Sequence, residues 1–553
     1  MVKNFLSLII LGLIVSSCKY FKSDPTPENP IDFVGLSTSD TLFEKHYKIS
    51  HQPGIYSKPF YLSIAADTNC AIFYTMNGSK PQPGSKDTKI YGKAIQLTEK
   101  GAFNNKFYNI PTSAGGDRTY YKWKKPTHCR LGYSIIVQAY IGDSAISKPC
   151  AYSYFIQEKS HHSFPIMALT ANPKKLWSDE DGILVPGNNV DTTRNARSGN
   201  YYMNWQIPCN VEYFSNQGKR LFANQFAMKI HGLNSPLAPQ KSLRLYAKKK
   251  LGTPYFPRLL FPDDTITKQK RIVLRTLFSA WHGYLNADAI ISKIAQKFNV
   301  DCANSTPITL YINGEYWGIE NLRERIDKHY IAQHYSLNPD SIDIVLDNQQ
   351  TKAGTSDSYA VLCNFIQSND LRIDSIYNYV INQFDKESLM DYFILQTFFN
   401  NIDWPSNNHV LWKSQKPNSK WRYLLYDLDA TWRHSQTKSL ANAIVKHDTK
   451  TVDQETLVFS SLLKNKEFKT EFIEYYKLVM KTKLKKENVI AVINEFEQQY
   501  AYDLLEHISR WQYPNSLDFW YEKNEAMRTF AQEREGYVLE ELEALEKSDT
   551  YPL

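Results

Sequence analysis

Two short stretches carry acids in a pattern that chemistry could use. IDWPSNNHVLW (402–412) sets Asp403 five residues before Asn408 around Pro405, and YDLDATW (426–432) offers Asp427 and Asp429. Magnesium takes hard oxygen ligands, usually one or two carboxylates together with substrate phosphates. A loop Asp, an Asn shortly after it and a further Asp beyond a strand form the set that phosphoryl transfer needs. One carboxylate orients an attacking hydroxyl, and an amide and a second carboxylate hold the metal against the phosphates. Taken alone, the Asp403–Asn408 step is also what an Asx-turn with a capping Asp around Pro405 produces.

The surrounding elements must hold those residues together. ESLMDYFILQTFFN (387–400) reads as a strongly apolar helix delivering the chain into Asp403. Residues 409–412 leave as a strand, and WRYLLYDLDATW forms a second strand ending in Asp427 and Asp429 on one face. Upstream, ITLYINGEYWGIENLRERI (308–326) reads as two strands joined by Asn313-Gly314, a hairpin signal. YLNADAIISKIAQKF (284–298) has apolar residues at helical spacing and Asp288 as its one acid. The chain is β-rich from about 163 to 250 and mainly helical after 450, which predicts an α+β class.

With 553 residues, the chain predicts two to four domains. Apolar residues are 42% and aromatics 14%, enough to bury large cores and exclude general disorder. The net charge of +8 comes from 65 basic and 57 acidic residues, a mild excess at this length. It permits anionic ligands and gives no argument for a nucleic-acid partner.

The start, MVKNFLSLIILGLIVSSCKY, pairs Lys3 with an apolar run too short to span a bilayer. Its Val15-Ser16-Ser17-Cys18 junction resembles a bacterial lipobox, which implies cleavage before Cys18, acylation of its thiol and anchoring to a membrane of the cell envelope. An ordinary secretory signal with an incidental Cys is the alternative. Residues 1–18 are thus read as signal peptide and 19–50 as a tether, Pro-rich over 19–35. Residues 51–160 show short β-rich runs between Gly, Pro, Asn and Asp turns, the pattern of a sandwich. Within them, AIFYTMNGSKPQPGSKDTKIYGKAIQL resembles the fibronectin-like module at the C-terminal end of chitobiase-type hexosaminidases, an accessory with no catalytic part. Cys70, Cys129 and Cys150 are close enough in sequence to share that domain as disulfide candidates.

KIHGLNSPLAPQKSLRLYAKK, LYINGEYWGIENLRERID, NNIDWPSNNHVLW and WRYLLYDLDATW, in this order, resemble the CotH family of kinase-like proteins, named for a spore-coat component. The resemblance covers roughly 165–445 and extends to the helical tail. It implies an atypical protein-kinase-like two-lobed domain over 161–548, preceded by an immunoglobulin/fibronectin-like β-sandwich. The β-rich N-lobe would run to about 330, with a helical C-lobe after it. It also implies transfer of the γ-phosphoryl of ATP, with Mg2+ or Mn2+, to side chains of an unidentified protein substrate. Carried over, Asp403 is the catalytic Asp, Asn408 and Asp427 are metal ligands, and Asp429 is a second ligand or a structural cap. Lys241 would reach the α/β-phosphates, where a surface Lys is the alternative. Arg275 and Glu324 are further nucleotide candidates, Glu324 with Arg325 equally a structural ion pair.

Two features depart from the family. His231 stands before Gly232 where many members have Arg, and a neutral imidazole grips phosphate less than a guanidinium. Helix 284–298 also lacks a Glu to pair with Lys241, so either Asp288 does that work or Arg275 and Lys241 are organised differently. A catalytically impaired surface-binding lipoprotein, linked to glycan use, is the second reading. A glycoside hydrolase using Asp403 and Asp427 is the third. Trp404, Trp412, Trp421 and Trp432 either pack the lobe or offer sugar a platform.

Overall fold

A computed structural model describes residues 43–44 and 46–548, apart from 68, 101–106, 115–121, 158–162, 192–196, 258–259, 262–265, 267, 278–283 and 445–453. Cys18, the leader and most of the tether lie outside the described residues. No described helix is long and apolar enough to cross a membrane.

The N-terminal region is sheet-rich. Gly54–Tyr56, Cys150–Ile156, Tyr133–Ile141, Ala71–Thr75 and Lys89–Ile90 form one sheet in that order, and smaller sheets join Tyr47–Ile49 to Ile64–Ala66 and Phe60–Leu62 to Ile95–Leu97. FYLSIAA is therefore two strands in two sheets, with buried Leu62 and Ile64 on either side of Ser63. Tyr47, Leu62, Ile72, Leu97, Ile135 and Tyr154 fill the core that the sheets share. Cys70, Cys129 and Cys150 form no disulfide with one another, a correction to their pairing. Cys129 sits in a separate cluster with Leu131, Phe155 and Tyr316, where its thiol faces the Tyr316 carbonyl at 3.7 Å, while Cys70 faces the carbonyls of His46 and Asp67.

The next region is a closed barrel of β1 (Ile166–Thr170), β2 (Ile207–Phe214), β3 (Arg220–Ile230), β4 (Leu243–Tyr246), β5 (Arg271–Thr276), β6 (Ser305–Ile312) and β7 (Glu315–Glu324). Its order is β1-β2-β3-β4-β5-β7-β6, closed by parallel pairing of β6 with β1. Alternation places Leu243, Leu245, Ile272, Leu274 and Leu322 in the barrel core. Arg275 and Arg323, on β5 and β7, consequently project from the outer face. Asn313 and Gly314 both have positive φ (49° and 80°), as a tight hairpin turn requires.

Gly78, with φ 89°, presses against that hairpin. A Cβ there would lie 2.4 Å from Asn313 Nδ2, and Asn313 Nδ2 itself donates to the Asn77 and Ala171 carbonyls. Arg130 pairs with Glu506 at 3.3 Å, and the bridge Leu131–Glu315 continues the contact. The N-terminal sheets thus sit directly on the barrel.

Beyond the barrel, a five-stranded sheet runs in the order Asp301–Cys302, β11, β10, β8, β9, where β8 is Ile342–Val345, β9 Thr351–Ala353, β10 Val410–Ser414 and β11 Arg422–Leu425. Helix α1 (Ala287–Ala295) lies between β5 and β6, and α2 (Lys386–Phe398) leads toward β10. Ser388 to Phe398 are buried at every position, which explains the near-continuous apolar text of α2. Asp385 caps its N-terminus through Ser388 N at 3.1 Å. Two long helices, α3 (Lys486–Trp511) and α4 (Leu517–Lys547), close the far side. Fully buried Arg534 of α4 donates to the carbonyls of Thr397 and Phe398 (2.8 and 2.9 Å), fixing the end of α2 where the acidic loop begins. The content is α+β, with a sheet-rich N-terminal region.

Candidate functional site

Residues 403–408 close a tight loop after α2. The two carboxylate oxygens of Asp403 accept from Asn407 Nδ2 (2.9 Å) and Asn408 Nδ2 (3.0 Å), and Asn407 N reaches the Asp403 carbonyl at 3.0 Å. Trp404 anchors the loop by packing edge-on against Tyr392 and Phe393 of α2. Asn408 adopts a left-handed φ of 64°, a conformation that Asn tolerates better than most residues. Its side-chain Nδ2 is the group that donates to Asp403.

A residue that the sequence did not flag holds this loop. Asp347, in a short 3-10 turn after β8, accepts from His409 N at 2.6 Å and from the Asn408 backbone N–H. Burial pushes its carboxyl above the usual range against the pull of those N–H groups, and Asp403 adds to the rise. Burial first, then Asp347, Asp427 and Asp403, raise the phenol of Tyr426.

Asp427 and Asp429 do not share a strand face, because β11 stops at Leu425 and Asp427 has φ 57°. The turn instead points both acids at Arg275. The guanidinium meets Asp429 at 2.5 Å, Asp427 at 2.8 Å and Asp288 of α1 at 3.1 Å. Arg323 holds Asp288 from the other side at 2.9 Å. One oxygen from each of the three carboxylates lies within 4.8 Å of the others. Exposure rises from 4% at Asp288 through 23% at Asp429 to 42% at Asp427, so the cluster opens outward.

Burial raises Asp429 most; Arg275 opposes the rise, and Asp427 and Asp288 add to it. Asp288 stays below the ordinary range because Arg323 and Arg275 outweigh its burial. Arg275 stays charged well past its usual range, since the three carboxylates overcome its desolvation. A set of hard carboxylates sharing one guanidinium suits Mg2+ or Mn2+ better than a soft metal.

Near these acids lies a group of cations. Lys229 on β3 is in register with Arg244 on β4, and Arg244 lies opposite Val273, two residues from Arg275 on the same face of β5. Arg325 follows β7, and Lys352 on β9 has its ammonium 5.9 Å over the Tyr426 ring. Arg244 Nε donates to His231 Nδ1 at 2.6 Å, so the imidazole is a neutral acceptor. Burial first, then Arg244, Arg275, Arg325 and Lys352, hold His231 well below its usual range. Burial and Arg244 lower Arg325, which contacts Tyr246 OH at 3.4 Å. Lys352 is exposed as a residue, yet desolvation around its ammonium and then Arg325 lower it. Asp327 is a nearby acid, and it is held by Arg271 and by Arg325 at 3.6 Å. Like charges crowded this way stabilise an anionic ligand more than they stabilise the empty fold.

Two expected contacts lie elsewhere. Lys241 is fully buried, its ammonium bonded to the Pro236 and Ala238 carbonyls (2.5 and 2.7 Å) and 4.0 Å from the Tyr201 ring. Burial drives its pKa well below the usual range, and it clamps its own loop through those two carbonyls. Glu324 alternates with Arg323 along β7 and so faces away from the acid cluster. It accepts from His334 Nε2 (2.9 Å), Asn304 N (3.0 Å) and Gln269 Nε2 (3.2 Å). Arg275 pairs with Asp288, which answers how the strand cation and the helix acid are organised. The four tryptophans 404, 412, 421 and 432 are all buried, so they pack the core and offer sugar no platform.

A family model described as CotH kinase protein matches residues 228–538, more than half of the chain. No curated protein matches it.

Proposed function

We propose that this protein is a phosphotransferase, and the premise is its family: the chain belongs to the CotH kinase proteins. In this reading it transfers the γ-phosphoryl of ATP to a hydroxyl of a protein substrate, in a two-lobed kinase-like domain. The observation that carries the reading is the nearness of acids and cations. Arg275 holds Asp427 and Asp429, Arg244 lies beside it on the same barrel face, and Lys352 stands 5.9 Å over the ring of Tyr426, whose phenol feels Asp427 and Asp403. A triphosphate with its metal needs both signs of charge at close quarters.

Asp427 and Asp429 would hold Mg2+ or Mn2+, with the Asn408 amide oxygen as a further donor. The ion supplies charge neutralisation at the phosphates. Asp403 orients the acceptor hydroxyl and takes its proton. Its two bonds from Asn407 and Asn408 fix the carboxylate's direction. Arg244, Arg325 and Lys352 bind the phosphate oxygens in place of Lys241. Purified protein incubated with labelled ATP and Mg2+ tests this: label should reach protein, and Asp403→Ala should abolish labelling while nucleotide binding remains. Absence of labelling together with absence of nucleotide binding would end the proposal.

One observation favours the second reading, a binding protein without turnover: Arg275 already neutralises Asp427 and Asp429. A chain that binds ATP and never transfers label would fit it. We also place the protein at the cell envelope through acylated Cys18. Incorporation of a labelled fatty acid, lost in Cys18→Ala, tests that placement.

A further inference from the structure

Arg275 occupies the centre of the candidate metal set. Its guanidinium reaches Asp288, Asp427 and Asp429 at 3.1, 2.8 and 2.5 Å, and these are the same carboxylates whose oxygens lie within 4.8 Å of one another. A guanidinium holds oxygens at hydrogen-bond length, whereas Mg2+ takes them at about 2.0–2.1 Å. The two cations cannot use the same oxygens in one geometry, and each repels the other.

The neighbours of Arg275 differ on its two sides. Arg323 keeps Asp288 at 2.9 Å whether or not Arg275 stays, so the buried acid is not stranded if the guanidinium moves. Beside Arg275 on the same barrel face lies Arg244, opposite Val273 and bonded to His231, which also feels Arg275, Arg325 and Lys352. A phosphate chain drawn to those cations would offer Arg275 a second set of anionic oxygens. Leaving Asp427 and Asp429 would then cost the arginine little.

We propose that Arg275 is a resident counter-cation that makes the site accept a divalent ion only together with a polyphosphate, and refuse the free ion. The inference rests on the nucleotide reading above and adds a specificity to it: the ligand is the metal–polyphosphate pair. Arg275 acts here as a positioning residue, through the carboxylates it holds.

Manganese binding to the full chain, read by equilibrium dialysis as the excess Mn2+ held on the protein side with any analogue present on both sides, tests this without any turnover. Wild type should take up free Mn2+ weakly and bind it about tenfold or more tighter when a non-hydrolysable ATP analogue is present, within the usual range of coupling between sites. Arg275→Gln should bind free Mn2+ about tenfold tighter than wild type, with the analogue adding little. Arg275→Lys keeps a charge without the fork and should fall between them, which preserves the test if the glutamine variant fails to fold. If the folded variants bind free Mn2+ no tighter than wild type, the counter-cation role is overturned while the metal site stands. If wild type and variants all ignore Mn2+ with and without the analogue, the metal reading itself falls and takes this inference with it.

Discussion

Replacing Arg244 with alanine should cost nucleotide affinity while sparing the fold. Arg244 is half-buried and forms no ion pair with a carboxylate among the described residues; its Nε is committed to His231 Nδ1 at 2.6 Å. Its remaining N–H groups are therefore free for a ligand. Its neighbours Arg325, Lys352 and Lys229 carry the same sign, so removing one cation relieves repulsion in the empty protein. A hydrogen bond to a charged group contributes about 1.5–3 kcal/mol. Coulomb's law gives a similar size, about 3 kcal/mol for unit charges ~5 Å apart at an effective dielectric of ~20. At about 1.4 kcal/mol per tenfold, Arg244→Ala should weaken binding of Mg-ATP by roughly 10- to 100-fold. Titration calorimetry at physiological salt would measure it, with thermal melting in parallel to confirm the fold. Arg244→Lys keeps the charge but not the fork and should lose less. An Arg244→Ala protein that is folded and binds nucleotide like wild type would refute the assignment. So would a folded Lys241→Met protein that loses more affinity than Arg244→Ala.

Other outcomes follow from the same geometry. Lys241→Met leaves two buried carbonyls without their donor, so chemical denaturation should show a loss of about 1–3 kcal/mol. Nucleotide affinity of the folded fraction should stay near wild type. Asp347→Ala frees the His409 and Asn408 N–H groups that hold the acidic loop, and should lower phosphoryl-transfer rate by about tenfold or more with a much smaller effect on ATP binding. His507 accepts from Ile319 N at 3.0 Å and is held to about 3 by burial and by Arg510. The unfolded chain binds a proton there below about 6.5 while the folded chain does not, so stability should fall by about 1.4 kcal/mol per pH unit from about 6.5 down toward 3. Urea melts of wild type and His507→Gln across that range would check the slope, which the variant should lack.

Local spacing made much of this architecture legible. Asn313-Gly314 fixed a hairpin because only a turn with two positive φ values joins such strands. The unbroken apolar run of α2 announced a helix buried all round, and the acids after it announced the loop. Strand parity was the weak point. Glu324 and Arg323 are adjacent in sequence yet face opposite ways, and motif similarity does not carry that information. Lys241 lies among the family motifs, but its loop folds back so that its ammonium meets carbonyls. Asp347 and Lys352 carry no motif at all. They reach the acidic loop and Tyr426 only because β8 pairs with β10 and β9 pairs with β8, long-range registers that no local pattern encodes. Arg534 was equally silent, since a helix read as a tail gives no hint that it ties down the end of α2.

The docking of the N-terminal sheets on the barrel hairpin has a practical outcome. Tyr108, Cys129, Leu131 and Phe155 share one apolar seam with Ile166, Tyr311 and Tyr316. Glu315, at the start of β7, is locked to Arg510 at 2.7 Å beneath it. Cutting the chain near residue 163 to isolate the second half would lay that seam bare. The same strand, β7, carries Arg323 farther along, so a loosened hairpin would be felt as a lever arm at Asp288 and the acids around it. A shortened protein that aggregates or binds nucleotide poorly would thus be reporting on a missing brace rather than on its own chemistry.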